Sequence, residues 1–227
     1  MILLEINKIY NQDCLDFMKK LPDNYFDLII TDPPYGIGMS PNFLGLKKRK
    51  SAKAPPKDYG EYEWDKSTPS EEYFSEMLRV SKNQIIFGGN YFIEYLKNSS
   101  CWVVWDKDNG NNSFADCELA WTSFQTAIRK FKFRWLGMLQ EQMNWKEKRV
   151  HPTQKPVPLG RWILEKFANK GDKIFDPFAG SGSFLVACQQ LGFKFIGCEI
   201  NNDYVDIAVQ RLSQKTLTEV SANSSHS

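Results

Sequence analysis

"KIFDPFAGSGSFLVACQQLGFKFIGCEI" runs from Lys173 to Ile200. The apolar run "KIFDPF" stops at Asp176-Pro177, and "AGSGS" then lets the backbone turn tightly, because Gly180 and Gly182 carry no Cβ to hold a ligand away. "FLVACQQLG" continues as a helix, and "FKFIGCEI" is a second apolar strand that ends in Glu199. An acid at the end of the next strand, about 20 residues on, is placed to accept hydrogen bonds from ribose hydroxyls. Strand, glycine turn, helix, strand and acid describe a site for an adenosine cofactor, with Asp176, Gly180, Ser181, Gly182, Glu199 and Ile200 as its candidate residues. A pyrophosphate fits poorly. The third glycine of G-x-G-x-x-G is replaced by Phe184 or Leu185, and no Walker lysine follows.

The same alternation extends outward. "EINKIYNQD" and "FDLIITD" are strand patterns around a helix "CLDFMKKL"; a helix over "TPSEEYFSEMLRVS" is capped by Ser67 or Thr68. "QIIFGG" is a strand, "NYFIEYLKN" a short helix, "CWVVWDK" a strand, and "CELAWTSF" with "KFKFRW" an antiparallel pair. A helix from about Pro158 to Asn169 leads into "KIFDPF", and "NDYVDIAVQRLSQ" is the last helix. The expected fold is α/β and Rossmann-like: a mostly parallel, doubly wound sheet with an antiparallel edge strand. Ligands should gather at the carboxyl ends of the strands, near a switch in strand order. One domain is expected over residues 1–215, with a mobile basic loop at 36–66, a short segment at 125–150 and a disordered tail at 216–227.

"DLIITDPPYGIG", Asp27 to Gly38, is the second informative tip. Proline after Asp32 forces an extended backbone there, and Pro34 fixes the direction of the Pro33 carbonyl without a competing N–H. The result is a rigid strand extension carrying a carboxylate, a directed carbonyl and the flat ring of Tyr35. Such a set suits an exocyclic amino group on a nucleobase, whose lone pair is delocalised into the ring. Two acceptors on its hydrogens bias that nitrogen toward tetrahedral geometry, and an aromatic ring stacks on the base for roughly 1–3 kcal/mol. A base inside a duplex must be flipped out to reach it.

The 227 residues are 42% hydrophobic and 25% charged, the make-up of an ordinary globular domain. No apolar run reaches the length of a membrane span, and the N-terminus lacks the features of a signal peptide. Five cysteines without metal or disulfide spacing point to free thiols in a cytosol, and two distant histidines give no zinc site. Net charge is only +2, but "KKRKSAKAPPK" holds six cations and "RKFKFR" interleaves four with phenylalanines. These stripes, with Lys47, Lys48, Arg49, Lys50, Lys132 and Arg134, and Arg149 beyond them, form a candidate phosphate footprint.

Taken together, "NQDCL", "DPPY", "HPTQKP" and "FAGSG" resemble the S-adenosylmethionine-dependent DNA amino-methyltransferases of the adenine-N6 type, in the circularly permuted β-class order. The resemblance covers nearly the whole chain. It implies methyl transfer from S-adenosylmethionine to adenine N6 by direct displacement, with Asp32, Pro33, Pro34 and Tyr35 as the catalytic tetrapeptide. It further implies that Asp13 binds the cofactor's adenine amino group, with Cys14 presenting backbone to the ring and Asp32 near the cofactor's amino group. Thr153 and Lys155 match residues that hold the methionine carboxylate, and Phe178, Gly180 and Gly182 match the cofactor loop. DNA is the implied substrate, in a bacterial or phage cytosol. The family also allows a homodimer and a restriction endonuclease partner.

Cytosine-N4 enzymes typically place Ser where Asp32 stands, and RNA or protein amide methylation more often shows Asn. None of the five cysteines follows a proline, unlike the nucleophile of cytosine-C5 enzymes. A catalytically silent nucleic-acid-binding module is the alternative from another class; the intact tetrapeptide speaks against it.

Overall fold

The computed structural model describes residues 4–37, 68–110, 115–136, 139–141, 147 and 154–214. Apart from residues 36 and 37, the basic loop expected at 36–66 lies outside these, with Lys47, Lys48, Arg49 and Lys50. Arg149, Thr153 and the tail expected at 216–227 are outside them too.

The chain begins with β1 (Lys8–Asn11), α1 (Cys14–Met18), β2 (Phe26–Thr31), α2 (Glu71–Val80) and β3 (Ser81–Phe87). β4 (Trp102–Asp106), β5 (Cys117–Thr122), β6 (Arg129–Lys132) and the short pair β7 (Trp135–Leu136) and β8 (Leu139–Gln140) follow. α3 (Val157–Phe167), β9 (Lys173–Asp176), α4 (Ser183–Leu191), β10 (Lys194–Glu199) and α5 (Asn202–Ser213) complete it.

Eight strands form one sheet in the order β1-β10-β9-β2-β3-β5-β4-β6. The run from β1 to β3 is parallel throughout. From β2 the chain moves outward to β3, and from β9 it moves the opposite way to β10, so strand order reverses between β2 and β9. A crevice at the carboxyl ends of two such strands is where a doubly wound sheet accepts ligands.

Both faces of the sheet are covered, which is why strands such as "FDLIIT" are apolar without alternation. Leu28, Ile30, Ile85 and Phe87 pack with Leu159, Ile163, Leu185 and Ala208 from α3, α4 and α5. Ile29, Ile86 and Ile196 face Phe17, Met18, Phe74 and Met77 from α1 and α2. Each of the larger side chains among these contributes roughly 1.5–3 kcal/mol on burial.

Several sequence expectations give way to tertiary contacts. β5 and β6 are not partners: β4 lies between them, antiparallel to β5 and parallel to β6. The antiparallel strand is therefore β5, inside the sheet, with β4 and β6 beyond it. Strand pattern reports which residues can pair, and the Trp105 Nε1–H bond to the Phe133 carbonyl (3.0 Å) helps to draw the chain after β6 onto β4. The helix expected over "NYFIEYLKN" is only a 3-10 turn at Gly89–Tyr91. Beyond it Phe92 is fully buried, and the Lys97 carbonyl accepts from Trp121 Nε1 (2.8 Å) instead of from a helix. α2 is capped at Ser70, with Pro69 before the helix; the proline disfavours helical backbone at Thr68.

Gly88 ends β3 in the left-handed region (φ +67°), and a Cβ there would lie 2.1 Å from Cε1 of Tyr35. Gly88→Ala should therefore destabilise the fold by about 2–4 kcal/mol in urea unfolding, through both backbone strain and overpacking. A loss under about 0.5 kcal/mol would mean that the Tyr35 ring is not held against this backbone.

Candidate active site

The tips of β2 and β9 are tied directly. Thr31 Oγ1 donates to Asp176 Oδ1 (2.8 Å), and the same oxygen accepts from the Phe178 N–H at 3.2 Å. This buried link brings "DPPY" and "DPFAGSG" together across 145 residues of chain.

Beyond Asp176 the glycine turn closes back on β10. The Ala179 N–H donates to the Cys198 carbonyl (2.9 Å), and the Glu199 carboxylate accepts from the N–H groups of Gly180 and Asn201, both at 2.8 Å. Gly180 (φ +50°) has no heavy atom within 4 Å of where its Cβ would lie, so its face is open to a ligand. Gly182 (φ +75°) instead lets α4 start beneath α5, since a Cβ there would meet that of Ala208 at 2.9 Å.

At the end of β1, Asp13 caps α1 through the Leu15 N–H (2.7 Å) and accepts from the Tyr73 hydroxyl (2.7 Å). Tyr73, on α2, also sits beside the Phe178 ring, with centroids 6.0 Å apart.

A cavity of about 470 Å³ runs between these elements. That volume suits a ligand of nucleoside size. Of the residues singled out in the sequence, Asp13, Cys14, Asp32, Pro34, Lys155, Asp176, Phe178, Gly180, Ser181, Glu199 and Ile200 line it. Gly182 lies under the turn; Pro33 and Tyr35 do not line the cavity. Tyr73, Tyr204 and Gln154 line it as well; the two tyrosines stand outside the quoted motifs, and Gln154 sits inside "HPTQKP", where only Thr153 and Lys155 were singled out.

Asp32 is the junction of the site. Its carboxylate accepts from the Tyr35 hydroxyl at 2.5 Å and is ion-paired with Lys155. Lys155, 6% exposed, also lies 3.1 Å from Glu118 Oε2, and Glu118 Oε1 pairs with Lys107 at 2.5 Å. The Tyr35 ring stacks on Tyr91 (4.9 Å, 18°), an exposed side chain of the 3-10 turn. Lys155 is held in place from behind: Trp135 Nε1 donates to the Gln154 carbonyl (3.0 Å), while Glu147 accepts from Gln154 Nε2 (2.6 Å) and the Val157 N–H (3.0 Å). Glu147 also meets Arg211 of α5 at 2.5 Å, and Arg211 donates to the Ser181 carbonyl at 2.6 Å.

Lys132 and Arg134 lie at the edge strand and just beyond it, and both pair with Asp108, Lys132 at 3.0 Å. They are away from the cavity walls.

Burial sets the electrostatics. It pushes the Asp176 carboxyl up to about 8, against the hydrogen bonds from Thr31 and Phe178. Burial also raises Glu199 and Asp32; at Asp32 the adjacent Lys155 opposes the rise and the Glu118 charge adds to it. Glu118 is held at about 2: burial would raise it, but Lys155 and Lys107 outweigh that. Asp13, Asp32, Asp176 and Glu199 share the wall with one cation, Lys155, among the described residues. Such a lining favours a ligand with a hydroxyl-bearing sugar and a positive centre.

Asp176 takes up a proton on folding between its ordinary value near 3.9 and about 8. The folded chain binds more protons than the unfolded one in that window, so stability falls as pH rises through it. Asp176→Asn should remove this loss: its stability advantage over wild type should grow by roughly a few kcal/mol from pH 5 to pH 8 in urea unfolding. Parallel pH dependences for the two proteins would show that Asp176 is ionised throughout.

A family model described as DNA methylase, of the N6/N4 group, matches residues 101–210. The Type II methyltransferase M.HpaI of Haemophilus parainfluenzae is 27% identical over 245 residues, 87% of this chain and 71% of that protein. M.HinfI of Haemophilus influenzae is 28% identical over 254 residues, 92% of this chain and 69% of that protein. Among solved structures, an M1.HpyAVI–SAM complex superposes with a TM-score of 0.55 at 25% identity, covering 90% of this chain and 98% of that one. The cytosine-N4-specific PvuII DNA methyltransferase shares the fold, with a TM-score of 0.58 at 14% identity. The chain is thus similar to the N6/N4 DNA methylases over residues 101–210, and its "DPPY" tip lies ahead of the glycine turn in sequence and beside it in space.

Proposed function

We propose that this chain transfers a methyl group from S-adenosylmethionine to the N6 amino group of an adenine flipped out of DNA. The observation that carries the reading is the single cavity that joins the Asp32–Pro34 tip to the glycine turn and Glu199. The residues fit the cofactor. Glu199 keeps lone pairs for a ribose diol while it accepts two backbone N–H groups. Gly180 opens a cradle, and Phe178 with Tyr73 supplies flat apolar walls.

Bound S-adenosylmethionine supplies an electrophilic methyl group on a positively charged sulfonium. Asp13, with Cys14 beside it, receives the adenine amino group, and Lys155 with Thr153 holds the methionine carboxylate. Asp176 and Ser181 shape the turn, and Ile200 covers the adenine. Asp32 and the Pro33 carbonyl accept hydrogen bonds from the base amino group and free its lone pair. Pro34 keeps those acceptors rigid. Tyr35 fixes Asp32 through its hydroxyl and offers its ring to the base. Acceleration comes from positioning and preset charge, and no covalent intermediate on the enzyme is required. Adenine is favoured over cytosine by the carboxylate at Asp32. One domain over residues 1–215 carries this chemistry, with 125–150 reading the target.

Labelled cofactor and unmethylated duplex DNA, followed by nucleoside analysis, should yield N6-methyladenine. N4-methylcytosine or no labelled nucleoside would replace the reading. Asp32→Ala should lower transfer by at least about 100-fold with the fold retained, and full turnover in that variant would remove Asp32 from its role.

Lys47, Lys48, Arg49, Lys50 and Arg149, together with Lys132 and Arg134, are proposed to meet DNA phosphates. The Asp108 cluster sets two cations against one acid and so keeps a net positive charge. Changing Lys132 and Arg134 together to Gln should reduce the slope of log affinity against log salt by about 1–2. An unchanged slope would place DNA elsewhere.

A further inference from the structure

The ion pair between Lys155 and Asp32 poses a problem for the chemistry just described. A carboxylate that is tied to an ammonium and to the Tyr35 hydroxyl has reduced capacity for the amino hydrogens of a base. Lys155 cannot retreat into water, because it is 6% exposed and its ammonium lies over the rings of Phe87 (5.4 Å) and Tyr35 (5.8 Å). It can leave Asp32 only toward another buried anion. Glu118 stands there.

Glu118 Oε2 is buried, lies 3.1 Å from the Lys155 ammonium, and makes no well-angled hydrogen bond among the described residues. Glu118 Oε1 is fixed by Lys107 at 2.5 Å. The four groups therefore alternate in sign, Lys107, Glu118, Lys155 and Asp32, from the end of β4 to the tip beyond β2. Glu118 enters from β5, a strand that carries none of the sequence motifs.

We propose that Glu118 is a positioning residue for methyl transfer: it takes the Lys155 ammonium when Asp32 turns its carboxylate to the base amino group. The inference rests on the N6 reading above. Glu118 touches neither base nor cofactor in this role, and it acts through Lys155. The arrangement keeps the buried ammonium paired throughout, which a lone Lys155–Asp32 pair would not. The cofactor carboxylate assigned to Lys155 can join Glu118 as counter-ion once it is bound.

Single-turnover transfer from labelled S-adenosylmethionine to duplex DNA, measured from pH 5 to pH 9 for wild type, Glu118→Gln and Glu118→Asp, tests this. The charged groups facing Asp32 are Lys155, Glu118 and, across the tip, Asp176, with the Tyr35 hydroxyl bonded to it. Removing the Glu118 charge ties Lys155 wholly to Asp32 and lifts a repulsion, both of which lower the pH at which Asp32 loses its proton. E118Q should transfer about 10- to 100-fold more slowly at its plateau, with cofactor affinity within about threefold and an acid limb lower by on the order of one unit. E118D, which keeps the charge, should retain the wild-type acid limb. An E118Q plateau and acid limb like those of wild type overturn the proposal, as does a slow variant whose cofactor affinity and melting temperature collapse without a moved limb. If E118Q does not fold, an E118D acid limb displaced from that of wild type overturns it, and one that coincides supports it. A wild-type protein that leaves adenine unmethylated in the same assay instead defeats the N6 reading itself.

Discussion

The parallel pairing of β2 with β9 is the constraint on which the site depends. Their neighbours lead away in opposite directions, so no crossover helix covers the crevice at their carboxyl ends. The hydrogen bond from Thr31 to Asp176 closes the base of that crevice and sets the distance between the two acidic tips. With the tips fixed, the glycine turn can present the Gly180 N–H to Glu199, and Asp32 and Pro34 of "DPPY" can line the same cavity.

The site concentrates acids in a place where burial makes them costly. Asp176, with its proton held up to about 8, is the clearest case, and its fold-level role in joining two strands offsets part of that cost. Around Asp32 the solution is different: positive and negative groups alternate, so each buried charge has a neighbour of opposite sign. A cationic ligand entering this cavity meets carboxylates already in place, which is electrostatic preorganisation in its simplest form. The same design makes the resting site depend on where one lysine sits. Lys155 is placed by contacts behind it, through Trp135, Glu147 and Arg211, and Arg211 also grips the glycine turn at Ser181. The two halves of the cavity are therefore braced against each other from the far side.

Much of this was legible in order along the chain. The turn from Asp176 to Glu199 could be read because strand, glycines, helix and acid are contiguous, and each has a local reason to be there. "DPPY" could be read because proline restricts backbone irrespective of context. Glu118, Tyr73 and Arg211 could not, since each matters only through a partner far away in sequence: Lys155, Asp13 and Ser181. The partnering of β5 and β6 was hidden for the same reason, as either strand pattern is compatible with several neighbours.

The sequence by itself determined the alternation of elements, the two acidic tips and the glycine turn, because period, proline and glycine act over a few residues. Only the tertiary structure decided that β4 separates β5 from β6, that the residues after Tyr91 abandon a helix, and that Lys155 sits between two carboxylates. Those outcomes depend on which buried groups find partners across the sheet, and a buried charge or carbonyl takes the partner that the fold brings to it.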